Sequence, residues 1–157
     1  RRIYHSKDPK VTMSFSSTFN WKNWDLGFAM HANIGNYVYA DAMSDHAVVD
    51  NCWKNGKLNN LIQTDYYFNG TVNPAIGTMK SDYWLRNASF LRCDNITLGH
   101  TWPYLLDNKM RLRLYGAVQN PFVITKYKGL DPEVASGIDR DVYPRATTFT
   151  VGVVASF

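Results

Sequence analysis

The amino-acid sequence predicts an all-β fold of antiparallel strands that form part of a membrane-embedded β-barrel. Three observations support this prediction: apolar and polar residues alternate over several segments, short and long connections alternate between these segments, and aromatic residues gather at their ends. The mean hydropathy is negative at −0.32 although 15% of the 157 residues are aromatic, so apolar residues are interleaved with polar ones. Such interleaving is typical of strands with one apolar and one polar face.

Composition and motif content exclude several other classes of protein. No run of about 18 apolar residues is present, so we expect no transmembrane helix. The net charge of +4 comes from Lys and Arg residues scattered along the chain, and we expect no nucleic-acid partner. The chain begins at Arg1 without a targeting segment and is interpreted as a piece of a longer protein. Without a catalytic triad or a phosphate-binding loop, we predict no enzymatic activity, no catalytic residue, no cofactor and no bound metal.

The first two predicted strands form a tight hairpin. Residues 11–21 and 24–39 alternate between apolar and polar, and the turn between them lies at Lys22 and Asn23. The apolar face of the first strand contains Val11, Met13, Phe15, Phe19 and Trp21. The apolar face of the second contains Trp24, Leu26, Phe28, Met30, Ala32 and Ile34.

Three further strands are predicted over residues 88–102, 110–124 and 146–157. Their apolar faces contain Ile96, Leu98, His100 and Trp102; Met110, Leu112, Leu114, Gly116 and Val118; and Phe149, Val151, Val153, Ala155 and Phe157. Pro121 predicts a bulge, or the end of regular pairing, in the fourth strand.

The connections between the predicted strands alternate in length. Residues 20–23 and 103–109 are short turns, whereas residues 41–82, with a short helix near 42–53, and residues 125–144 are long loops. Outer-membrane barrels have short periplasmic turns and long extracellular loops. The aromatic residues then form two girdles: Trp21, Trp24, Trp102, Tyr104 and Phe157 on the periplasmic side, and Tyr37, Tyr39, Phe90 and Phe122 on the other. This sorting favours a membrane barrel over a soluble sheet, for which alternation is also typical.

The polar face of the predicted sheet carries Asp25, His31, Arg111 and Arg113. A charge facing lipid near the bilayer centre costs about 2–4 kcal/mol, so we expect these side chains to face the lumen. The two arginines either contact carboxylates of a plug or line a wet interior. Five strands cannot close a barrel, and unpaired backbone groups are costly in hydrocarbon, so other strands must complete the sheet. Phe157, at the end of an alternating strand, is typical of barrels inserted through their last strand.

Several segments resemble the C-terminal region of SusC/RagA-type TonB-dependent transporters. They are residues 81–92 (SDYWLRNASFLR), 95–100 (NITLGH), 114–122 (LYGAVQNPF), 125–134 (TKYKGLDPEV) and 143–157 (YPRATTFTVGVVASF). Their order and spacing are similar to the end of that family over nearly all of residues 10–157. The resemblance implies that this chain is the C-terminal part, incomplete on its own, of a barrel of about 22 strands in the outer membrane of a Gram-negative, Bacteroidota-type bacterium.

The resemblance also implies a function and partners. The family imports oligosaccharides or peptides through a barrel that lies in the lipid bilayer, closed by a plug and driven by TonB. The plug, the remaining strands and the TonB contact would belong to the N-terminal part of the same protein. A SusD-like lipoprotein would cap the extracellular mouth and contact residues 41–82 and 125–144. Two alternatives stay open: a soluble surface carbohydrate-binding β-domain, and an outer-membrane porin without a plug.

Aromatic residues of the first long loop are candidate contacts for a substrate or for the lid. They are Trp53, Tyr66, Tyr67 and Phe68. Packing of this loop on itself explains them equally well. Cys52 and Cys93 form either a disulfide or two free thiols, because a bridge requires Cα atoms within about 7 Å.

Overall fold

A computed structural model describes residues 5–46, 53–54, 56–58, 82–105, 109–140 and 142–157. The regular secondary structure of these residues is almost entirely antiparallel strand, which confirms the predicted fold class. They belong to two compact units, which we call the sheet unit (residues 10–34, 90–125 and 145–157) and the loop unit (residues 1–9, 35–89 and 126–144). No helix in the described part of the chain has the length and apolarity needed to cross a membrane.

The described strands differ greatly in length. They are β1 (Val11–Trp21), β2 (Trp24–Ile34), β3 (Tyr37–Tyr39), β4 (Trp53–Lys54), β5 (Lys57–Leu58), β6 (Leu85–Asn87), β7 (Phe90–Leu105), β8 (Met110–Thr125) and β9 (Thr148–Ser156). A short helix, α1, spans Asp41–His46, and a 3-10 turn spans Asp82–Trp84. The long strands form one antiparallel sheet in the order β1-β2-β7-β8-β9, whereas β3 pairs with β6 and β4 with β5.

The register of the long strands collects their apolar positions on one face of the sheet. Trp24 pairs with His100, His100 with Leu114, and Leu114 with Val153, so one apolar row crosses β2, β7, β8 and β9. Many large side chains of this face are exposed, with Val151 at 77%. The outer edges of β1 and β9 have no pairing strand among the described residues. The sheet is therefore open at both edges.

A bulge in β7 keeps the apolar residues of this strand on the same face of the sheet before and after Asp94. Against β2, Asp94 is an extra residue of β7, because Ala29 and Met30 pair with Asn95 and Cys93. Against β8, Asp94 lies opposite both Asn120 and Pro121, so β8 contains a bulge of its own. Asn120 has a left-handed backbone with φ of 49°, which Asn tolerates better than most residues. Because a one-residue bulge reverses the alternation, the apolar face of β7 contains odd-numbered residues before the bulge and even-numbered residues after it. Of the two outcomes predicted from Pro121, the structure contains the bulge in β8, and pairing with β7 continues beyond it to Thr125.

The prediction of one strand over residues 24–39 is wrong in its extent. Gly35 has φ of 85°, a conformation that suits glycine and turns the chain out of β2 after Ile34. Residues 37–39 instead form β3, which pairs with β6 in the loop unit. The loop predicted over residues 41–82 contains α1 and the β4–β5 hairpin, while residues 47–52 of the predicted helix lie outside the described residues.

Candidate functional site

The polar face of the sheet is organised around one ion pair. Asp25, Gly99, Tyr115 and Gly152 lie side by side across β2, β7, β8 and β9. Arg113, two residues before Tyr115, reaches across Gly99 to the carboxylate of Asp25. Its Nη2 donates to Oδ2 at 2.6 Å and its Nε to Oδ1 at 3.1 Å. Two-point contact of this kind fixes the orientation of both groups.

Two glycines provide the space that the ion pair and the Tyr115 ring occupy. A Cβ atom on Gly99 would lie 2.5 Å from Asp25 Oδ1 and 2.8 Å from Arg113 Nη2. A Cβ atom on Gly152 would likewise collide with the ring of Tyr115. The guanidinium carbon of Arg113 lies 4.9 Å from the centre of that ring. Because Arg113 is held between a carboxylate and an aromatic ring, its geometry favours a role within the sheet over a contact with an added carboxylate.

A second polar pair lies at the bulge of β7. His31 Nδ1 lies 2.9 Å from Asp94 Oδ2, and the Phe90 ring packs edge-on against the imidazole with centroids 5.4 Å apart. The prediction that Phe90 joins an outer girdle is wrong, because its pairing with Asn33 places it on the polar face, where it is buried. Sequence alternation missed Asp94 because no bulge was assigned to β7. Arg111 lies at the short-turn end of β8, opposite Ser156, and is exposed.

The apolar face carries a cluster of aromatic rings at the short-turn end. Trp21 pairs with Trp24, and His100 stands between Trp24 and Trp102 with ring centroids 4.5 and 4.3 Å apart. Phe157 directly follows β9 and is 96% exposed. The side chain of the remaining predicted member, at position 104, lies outside the described part of the structure.

The aromatic girdle predicted at the other end is only partly present. Phe122 is exposed on the apolar face of β8. Tyr37 and Tyr39 belong to β3 in the loop unit instead of to the end of β2. The physical reason is the left-handed turn at Gly35, which ends β2 before either tyrosine.

The loop unit contains a buried phenol–carboxylate bond. The Tyr127 hydroxyl donates to Asp139 Oδ2 at 2.6 Å, and the two residues are 6% and 2% exposed. Burial, together with the hydrogen bond and negative charge of Asp139, raises the pKa of Tyr127 far above its usual value. Tyr127 packs in a small core with Val38 and Ala88. An Arg140–Asp41 ion pair ties the second long loop to α1.

The aromatic residues predicted to contact a substrate or lid are only partly visible. Trp53 is described through its backbone, in β4, and Tyr66, Tyr67 and Phe68 lie outside the described residues. The described part of the loop unit instead exposes three large apolar residues that the sequence reasoning missed: Leu130, Ile138 and Tyr143. Their signal in the sequence is weak, because they are isolated within a loop rich in Gly, Asp and Pro.

Cys93 is a buried free thiol in β7. Cys52 lies outside the described residues. Among the described residues, no three His, Cys, Asp or Glu side chains converge as a metal site would require.

No family model matches this chain. Curated proteins that are similar to it in sequence include two TonB-dependent receptors. The TonB-dependent receptor SusC of Bacteroides thetaiotaomicron is 41% identical over 165 residues, covering 99% of this chain and 16% of that protein. The TonB-dependent receptor P3 of Formosa agariphila is 27% identical over 181 residues, covering 100% of this chain and 17% of that protein. The chain thus spans about a sixth of the length of these relatives.

Solved structures with a similar fold come from the RagAB system. The RagAB peptide importer in its closed-closed state matches with a TM-score of 0.76 and 25% identity, covering 99% of this chain and 18% of that one. A structure of the RagAB peptide transporter matches with a TM-score of 0.74 and 26% identity over the same shares. Because 99% of this chain is covered, the likeness includes both the sheet unit and the loop unit.

Proposed function

This chain belongs to the SusC/RagA family of TonB-dependent receptors, and we propose that it supplies barrel wall and extracellular loops to an outer-membrane nutrient importer. The observation that carries this proposal is the continuous apolar face of the sheet, which stays exposed on strand after strand, with Phe149 at 76% and Trp21 at 69%. Soluble monomeric proteins rarely expose an apolar patch of this extent. A lipid bilayer is the environment in which such a face is stable.

The opposite face of the sheet then lines the lumen. Asp25, His31, Arg111 and Arg113 all lie on this face, where their charge avoids contact with lipid. The open edges of β1 and β9 would leave unpaired backbone groups in hydrocarbon. Further strands of the same protein therefore continue the sheet on both sides, and a plug fills the lumen.

The loop unit is assigned to the extracellular side, where a SusD-like lipoprotein forms a lid. Leu130, Ile138 and Tyr143 give this unit the exposed apolar contacts that a protein partner requires. The substrate is an oligosaccharide or a peptide. The similarity to the RagAB peptide importer favours a peptide. Trp53 and the aromatic residues 66–68 remain candidate contacts for substrate or lid. We expect TonB-driven transport and no catalysis.

The membrane assignment is tested by placing Lys on each face of the same edge strand. Val151→Lys puts a charge on the apolar face, and Thr150→Lys puts one on the polar face. In the full-length protein, Val151→Lys is expected to reduce the yield of heat-modifiable folded barrel strongly, because a lipid-facing Lys costs about 2–4 kcal/mol near the bilayer centre. Thr150→Lys is expected to assemble like the wild type. Equal assembly of both variants, in a protein that is soluble without detergent, would favour a soluble carbohydrate-binding domain.

The import function is tested by measuring uptake of labelled oligosaccharides and labelled peptides into cells that carry or lack TonB. Uptake of one class is expected to require both this protein and TonB. Uptake that persists without TonB would favour a porin without a plug.

A further inference from the structure

The apolar face of the sheet contains a groove of about 410 Å³ at the short-turn end. Gly116 forms its floor, and Leu98 and Val151 stand on either side of this glycine in the neighbouring strands. A Cβ atom on Gly116 would meet no other atom within 4 Å, so the missing side chain is what opens the groove. His100 and Leu114 form the next row toward the turns, so the groove follows the strand direction.

The shape and lining of the groove suit one flexible hydrocarbon chain. Aliphatic side chains line it on both sides, and Trp24 and Trp102 border its turn-side end. Strands of a membrane barrel cross the hydrocarbon region, so a groove that follows them extends from the interface into the layer of lipid acyl chains beside the barrel. An acyl chain in this position would cover the apolar walls that a flat protein surface could not reach.

Polar and charged groups gather where the headgroup of such a lipid would lie. His100 is clamped between the two tryptophans, and its Nδ1 has no hydrogen-bond partner in the part of the chain that the structure describes. Lys22 lies in the turn directly before Trp24 and holds its ammonium 5.1 Å from the centre of the Trp21 ring. Interfacial Trp and Lys side chains of this kind favour an anionic headgroup next to an apolar site.

We propose that this groove is a binding site for one phospholipid, whose acyl chain lies over Gly116 and whose phosphate lies near Lys22. The inference rests on the proposed membrane location of the sheet. A lipid bound there would bridge β2, β7, β8 and β9 across the apolar face, and it would be retained more strongly than the lipids around it.

The test is native mass spectrometry of the full-length protein, purified in detergent and supplied with phosphatidylglycerol or phosphatidylcholine. Gly116→Leu fills the groove, and the open space at this position allows the variant to fold. Val11→Leu is the matched control, because it enlarges an exposed residue of the same face in β1, outside the groove. Leu98→Trp blocks the groove from β7 and provides a second measurement.

The wild type and Val11→Leu are expected to retain one phosphatidylglycerol per barrel. Gly116→Leu and Leu98→Trp are expected to retain it about tenfold less well, because several methylene groups lose their apolar site. Lys22→Gln is expected to remove the preference for phosphatidylglycerol over phosphatidylcholine. Equal retention by all variants of a protein that inserts into micelles would overturn the lipid site alone. A wild-type protein that stays in solution without micelles would overturn the proposed barrel and this inference with it.

Discussion

The sheet unit and the loop unit place their apolar residues in opposite ways. In the sheet unit, large apolar side chains such as Phe149 and Val151 are exposed on one face, and the charged residues lie on the other. In the loop unit, Val38 and Tyr127 are buried in a small core, and the carboxylate of Asp139 is buried with them. The sheet unit therefore has the distribution of apolar residues expected of a protein surface in contact with lipid. The loop unit has the distribution expected of a protein in water.

The same difference determines what a polar contact contributes. The Asp25 and Arg113 side chains are 25% and 33% exposed, so water partly screens their attraction. The Tyr127–Asp139 hydrogen bond is shielded from water. A polar group that loses its partner in a buried environment destabilises the fold. We therefore expect substitutions at the buried bond of the loop unit to have larger effects than substitutions at the ion pair of the sheet unit.

The largest of these effects is expected for Tyr127→Phe. The substitution removes the donor to Asp139 Oδ2, and Asp139 Oδ1 already has no partner among the described residues. The loop unit should lose about 1–3 kcal/mol of local stability, because a buried carboxylate would be left without a donor. Hydrogen exchange of residues 35–40 and 126–140 in the intact protein measures this loss. Tyr143→Phe is the control, since this tyrosine is exposed, and equal protection in the two variants would contradict the prediction.

The titration of Tyr127 gives a second, pH-dependent effect in the loop unit. Its pKa is raised in the folded state, so its contribution to stability is fully present below the unfolded pKa of about 10 and is lost as the pH rises above it. The stability advantage of the wild type over Tyr127→Phe should therefore shrink above about pH 10, by up to about 1.4 kcal/mol per pH unit. The difference in phenolate absorbance between the two proteins should stay near zero until the loop unit unfolds. A phenolate signal near pH 10 from a folded protein would refute the prediction.

The sheet unit was largely predictable from the sequence because its environment is periodic. Each long strand has one apolar face and one polar face, so alternation reveals both its extent and the side on which Asp25 and Arg113 lie. The sequence also contains a signal for the change of alternation at Asp94, because the apolar residues Leu91 and Ile96 have odd and even numbers. This signal can be interpreted only if a bulge in β7 is assumed. The pairing of Asp25 with Arg113 was not predictable, because it depends on the register of β2, β7 and β8.

The loop unit was poorly predictable because its core is assembled from distant segments. Val38, Ala88 and Tyr127 come from three parts of the chain and show no common period. The left-handed conformation of Gly35 ends β2, but the alternation of apolar residues continues past it, so the pattern predicts a longer strand than the structure contains. Packing between distant segments, which a local pattern does not report, decides the structure there.

A smaller effect is expected for Gly99→Ala in the sheet unit. The added methyl group would lie within 3 Å of both Asp25 and Arg113 and would force the ion pair apart. We expect a cost of about 1 kcal/mol, because both side chains are partly exposed and can still be solvated. The temperature at which the folded barrel converts to the unfolded band on a gel measures it. Gly27→Ala is the control, since its methyl group meets only Thr18 Oγ1 at 3.8 Å, and identical transitions in the two variants would show that the ion pair contributes nothing.

The smallest effect is expected for Asp8→Asn. This substitution tests whether the stability lost depends on the burial of a polar contact or on the unit in which the contact lies. Lys7 and Asp8 form a 3.3 Å ion pair in the loop unit, but their side chains are 54% and 74% exposed. Because water and salt screen such a pair, the substitution should change local stability by less than about 0.5 kcal/mol. Hydrogen exchange of residues 35–40, which contact this segment through the Tyr37 amide and the Ser6 carbonyl, provides the measurement. A loss as large as that of Tyr127→Phe would mean that the whole loop unit is sensitive to charge. A negligible loss would indicate that the burial of individual groups explains why substitutions in the two units differ in their effect on stability.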